Sequence, residues 1–63
     1  MLLNRDYVWC AETMLCKFGP GALGRAERRA REMLRDANPN GHDIWTRVAA
    51  TIREIQTSVQ AAE

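Results

Sequence analysis

The chain has 63 residues, 46% hydrophobic and 27% charged, with 9 basic against 8 acidic side chains and a net charge of +1. A chain this short buries only about 60% of the surface its unfolded form exposes, so residues 1–63 make a single domain with a marginal core. Near-neutral charge argues against a generic polyanion binder, and no apolar run nears the ~18 residues that a membrane span needs.

The first predicted helix covers about residues 5–18. Asn4 is placed to cap it, and Leu3 can pack on Val8 as a hydrophobic staple. At about 100° per residue, Tyr7, Val8, Ala11, Met14, Leu15 and Phe18 share one arc of about 120°, the width of a core face. Trp9 and Cys16 fall together on the opposite side, beside Glu12 and Thr13.

Gly19-Pro20-Gly21 is the first predicted break, with Gly19 suited to a left-handed helix end and Pro20 stopping continuation. The second helix is expected over about residues 22–37. Its apolar stripe is Ala22, Leu23, Ala26, Ala30, Met33, Leu34 and Ala37, and the alanines let a neighbouring helix come close. Between Arg25 and Arg35 stand five arginines against Glu27 and Glu32. Glu27 and Arg31 have the favourable i,i+4 order, and Glu32 precedes Arg35 by three.

Asn38-Pro39-Asn40-Gly41 reads as a loop of turn formers, followed by a third helix over about residues 43–60 with His42 or Asp43 near its start. Ile44, Trp45, Val48, Ile52, Ile55 and Val59 form its apolar arc, against a polar side with little net charge. Nothing alternates with period two, so no strand is expected. The chain is therefore expected to be all-α. A compact three-helix bundle is the first architecture; an open helical hairpin, with a third helix that completes its core only in a dimer, is the second.

Val8-Trp9-Cys10-Ala11, Phe18-Gly19, Arg29-Ala30 with Met33-Leu34, and Gly41-His42-Asp43-Ile44-Trp45-Thr46-Arg47-Val48 together resemble a family of short alphaproteobacterial helical proteins of unassigned function. The shared pattern is Trp-x-Ala, a Gly after the first helix, Arg-Ala in the second, and Gly-x-x-x-Trp leading into the third. It covers roughly residues 7–56. Asn38-Pro39 departs from the Gly-Asp expected before the third helix. The resemblance implies a fold and carries no activity.

Site chemistry is sparse. Cys10, Cys16 and His42 are the soft ligands, fewer than the four of a structural zinc site, so neither metal nor cofactor is expected. No nucleophile, base and orienting group stand in a recognisable arrangement, and Gly19-Pro20-Gly21-Ala22-Leu23-Gly24 lacks the Lys-Ser/Thr of a phosphate loop. An enzyme is not expected.

Two surfaces remain as candidate partner-binding sites. Trp9 with Cys16 on the first helix is one, unless Leu2-Leu3 or the end of the third helix folds over the ring. Arg25, Arg28, Arg29 and Arg35 on the second helix are the other. The sequence thus reads as a small non-enzymatic interaction module that self-associates or docks on a larger protein. A nucleic-acid-associated regulator using the arginine face is the alternative, and a plain solvated, salt-bridged face is the bland one.

Cys10 and Cys16, six residues apart on one helix, point about 120° from each other and lie roughly 9 Å apart along the axis, beyond the reach of a disulfide. With no export signal in view, two reduced thiols and a cytoplasmic location are expected. Both cysteines of the unfolded chain should be alkylated without prior reductant; labelling that requires a reductant would contradict this compartment.

Overall fold

The computed structural model describes residues 4–61, and the side chains of residues 5–58. Three α-helices follow in order: α1 (Asn4–Phe18), α2 (Ala22–Arg35) and α3 (Pro39–Ala61), with a turn of 3₁₀ helix at Gly19–Gly21 between the first two. No strand occurs among the described residues. The all-α expectation holds, but the three separate rods do not. The helical residues run as two uninterrupted stretches, 4–35 and 39–61, and only residues 36–38 lie between them.

The first break is therefore a bend. Gly19 has φ +57°, the left-handed conformation its position demands, and this single residue ends α1. Pro20 then sits in the first turn of the 3₁₀ segment, where its fixed φ is already helical and its missing N–H costs nothing. The Ala22 N–H donates to the Gly19 carbonyl, and α2 begins at once.

The second break is shorter than the sequence implies, and each turn former in it has a capping duty. Asp36 is the C-cap of α2, and Ala37, not a glycine, takes the left-handed position with φ 57°. The Ala37 N–H donates to the Leu34 carbonyl at 3.2 Å and the Asn38 N–H to the Met33 carbonyl at 2.8 Å, the paired bonds of a Schellman motif. Asn38 is simultaneously the N-cap of α3. Its Oδ1 accepts the Gly41 N–H at 3.0 Å, and Pro39 occupies the first helical position. Helix α3 thus starts at Pro39 rather than near Asp43, and Asn38-Pro39-Asn40-Gly41 forms its cap and first turn instead of a loop. Helix α2 correspondingly stops at Arg35, short of the expected Ala37. The Leu3–Val8 staple involves a residue outside those described, as does the side chain of the Asn4 cap.

Packing follows from an alanine ridge. Ala22, Ala26 and Ala30, four residues apart, are all buried along one face of α2. Ala22 and Ala26 meet Val48, Ala49 and Ile52 of α3, Ala11 of α1 completes the buried cluster, and Ala30 is buried further along the same face of α2. Small side chains let α2 and α3 lie closely side by side. Helix α1 packs on α3 as well, but touches α2 little beyond the bend. Tyr7, Cys10, Met14 and Leu15 of α1, Leu23 of α2, and Ile44, Trp45 and Ile55 of α3 are only partly buried around this cluster. Several expected core residues lie outside it: Leu34 is 60% exposed and Phe18 37%, Ala37 is exposed in the turn, and Val8 and Met33 are half-buried without joining the cluster. Leu34 sits in the last turn of α2, past the buried alanines, and Phe18 ends α1 at the bend. Val59 lies beyond the described side chains.

Two links tie α2 to α3 beyond apolar contact. The His42 Nδ1–H donates to the Ala30 carbonyl at 2.9 Å, so this histidine belongs to the first turns of α3 and not to a loop. Arg53 donates to Glu27 at 3.1 Å, with both side chains largely solvated, which limits the pair to about 0–1 kcal/mol.

The core is small for the chain. Among the described residues, only Val48 and Ile52 are large side chains buried almost completely. The accessible surface is 4838 Å², against about 4,100 Å² for a compact monomer of 7.2 kDa by the usual size scaling. The radius of gyration, 11.8 Å, likewise exceeds the ~10.6 Å of a compact domain of this length.

The two left-handed positions make opposite predictions. Gly19→Val should destabilise the fold by about 1–2 kcal/mol, because a β-branched residue resists φ +57°. Ala37→Gly should stabilise it by about 1 kcal/mol through relief at φ 57°. Thermal melts followed by circular dichroism check both; an Ala37→Gly chain that melts lower than the parent would refute the strain at this position.

Candidate interaction surfaces

The back of α1 is the first surface. Opposite Ala11, which is fully buried, Trp9 is 69% exposed, the largest exposure among the described large apolar side chains. Cys16, two helical turns on, is exposed on the same side, and both cysteines are free thiols. Between them the Thr13 hydroxyl donates to the Trp9 carbonyl at 2.8 Å, so its proton is already committed within the helix. Cys10 differs from Cys16, being half-buried against the core cluster. Leu2-Leu3, the residues that would fold over Trp9, lie outside those described. Trp45, by contrast, packs partly buried against the core, as its position on the apolar arc of α3 requires.

The arginines of α2 are the second surface, and the fold divides them. Arg29 lies near the α3 side: it donates to Glu32 at 3.1 Å and its guanidinium stands 5.7 Å from the Trp45 ring centre. Arg25 turns back toward the bend and stacks on Phe18, 4.2 Å from the ring centre. Arg25, Arg28 and Arg31 together line an open concavity of about 340 Å³, with Gly21 and Gly24 as its other walls. Arg35 is exposed in the last turn of α2 and is not part of this lining. Of the expected arginine group, the structure therefore gathers Arg25 and Arg28, leaves Arg29 and Arg35 apart, and adds Arg31.

The sequence hid Arg31 because the i,i+4 rule matched it to Glu27. In the fold Glu27 reaches across to Arg53 on α3, and Glu32 takes Arg29 rather than Arg35. Among the described residues, neither Arg28 nor Arg31 has a carboxylate partner. A second, smaller groove of about 230 Å³ runs between α2 and α3, with Ala30, Ala49 and Ala50 among its lining residues and Glu27, Arg31 and Arg53 beside them.

Cys10, Cys16 and His42 are not brought together. His42 is held on Ala30 of α2 while the thiols sit on α1, and no group of three His, Cys, Asp or Glu among the described residues is placed to hold a metal ion. No described helix is long and apolar enough to cross a membrane. Comparison of the chain with protein-family models, with curated protein sequences and with solved structures gave no match in any of the three.

Proposed function

We propose that the chain is a small non-enzymatic interaction module that works as a homodimer, the second copy seating on the back of α1 over Trp9 and Cys16. The observation that carries this reading is Trp9, a large apolar ring 69% exposed on the helix side opposite the core. Burying the exposed part of such a ring contributes about 3 kcal/mol at ~25 cal/mol per Å², a large share of what a domain this small has. A core of alanines with two large buried side chains supplies the physical need for such a partner. Residues 9–16 present few charges, Glu12 alone, which suits the depletion of charge at interface centres.

Sedimentation velocity and thermal melting at several concentrations test this. The parent chain should sediment as a species larger than the 7.2 kDa monomer, with a melting temperature that rises with concentration. Trp9→Ala should raise the dimer Kd about 30-fold, the order of a 2 kcal/mol hot spot, and stay as helical as the parent. Two concentration-independent monomers of equal stability would end the proposal. So would a Trp9→Ala chain that is simply unfolded, since the ring would then be core.

A further inference from the structure

The concavity at the start of α2 has a composition that the fold itself does not require. Gly24 lies inside a helix, where glycine is less favourable than alanine, yet a Cβ built on it would meet nothing within 4 Å. The same is true of Gly21. Neither glycine is needed for packing, and Gly21 has a negative φ of −84°. The two glycines share the lining of the concavity with Arg25, Arg28 and Arg31. The three guanidinium groups make no ion pair with a described carboxylate, and Glu27 lines the neighbouring groove beside Arg31. Both glutamates of the arginine run are engaged elsewhere, Glu27 with Arg53 and Glu32 with Arg29, and no carboxylate lines the concavity. The first turn of α2 contains no acidic residue, and Gly21 offers no side-chain cap, so no carboxylate offsets Arg25 within that turn. Arg25 is held by its stack on Phe18 at 4.2 Å, which reduces the freedom it would lose on binding.

We propose that Arg25, Arg28 and Arg31, with Gly21 and Gly24, form a binding site for a phosphate-type oxyanion. Planar guanidinium forks match phosphate oxygens in paired hydrogen bonds, and about 340 Å³ accommodates a phosphate or diphosphate group without burying it. The source of the phosphate is either a small phosphorylated compound or the backbone of a nucleic acid; both present the same oxygens. This site is on α2 and does not depend on the Trp9 interface of α1.

The test is a titration of the full chain with inorganic pyrophosphate, followed by amide and arginine Nε resonances. Saturable shifts should centre on Gly21, Gly24, Arg25, Arg28 and Arg31. The Arg28→Gln, Arg31→Gln double variant should bind at least about tenfold more weakly, as expected for loss of charge-assisted hydrogen bonds. A Lys17→Gln, Arg35→Gln double variant, which removes the same charge, should bind like the parent. Absence of saturable shifts at these positions, or equal weakening by the two double variants, would overturn the site. A parallel titration with oligodeoxythymidylate identifies the source. Tighter binding than pyrophosphate at the same residues, falling steeply with salt, assigns a nucleic-acid backbone. Failure of the oligonucleotide to compete with pyrophosphate assigns a small phosphorylated compound.

Discussion

Everything in this fold depends on the close contact of α2 with α3 along Ala22, Ala26 and Ala30. Alanines at intervals of four make a flat ridge, and a flat ridge lets the facing helix approach to the lower end of the usual 8–10 Å range. Close approach then fixes what else can happen. The turn between the helices must be tight, and three residues, 36–38, suffice because one Schellman motif passes directly into one N-cap. The cost of the same choice is volume. Methyl groups bury little area each, so the cluster gains its apolar weight mainly from Val48 and Ile52, and much of the remaining apolar surface stays half open to water.

Residue patterns made part of this legible. Gly19 was readable because only glycine takes φ +57° cheaply, and the residue sits where the apolar periodicity of α1 stops. Trp9 was readable because helical periodicity alone puts it opposite Ala11. The second turn was misleading for a physical reason: Asn, Pro and Gly favour turns and also favour the cap, N1 and first-turn positions of a helix, and local composition cannot separate the two uses. Nothing in the sequence marks Ala37 as left-handed, since a Cβ disfavours that conformation, and its strain is carried by the tertiary contact of the two helices it joins.

The arginine surface shows a different limit. Sequence spacing assigns Glu27 to Arg31, one turn away, because that pairing costs little to form. The fold offers Glu27 a second partner, Arg53, 26 residues distant, and long-range competition of this kind is invisible in a helical wheel. The change of partner converts an apparently salt-bridged face into one where three guanidinium groups, in no ion pair with a described carboxylate, line a concavity with two glycines. The Arg29–Trp45 proximity has the same character, since it exists only because α3 crosses the edge of α2.

The division of labour between helices follows from how they are held. Helix α2 is tied to α3 by the alanine ridge, by His42 on the Ala30 carbonyl and by the Glu27–Arg53 pair. Helix α1 has α3 on one side, the bend at one end, and less contact with α2 than with α3. Its hold on the rest is therefore the weaker one, with half-buried Tyr7, Met14 and Leu15 as the main anchors beside Ala11. Arg47 lies over the Tyr7 ring at 5.3 Å, a contact of modest strength at an exposed position. An element held on one face and bare on the other gains most from a partner on its bare face, because a second layer would fix α1 from both sides. A ligand that binds only the ordered form adds its binding free energy to folding, and the least stable element receives the largest share of that benefit. The proposed association over Trp9 would thus complete the packing of α1, while the proposed arginine site lies on α2, the helix in the more extensive contact with α3.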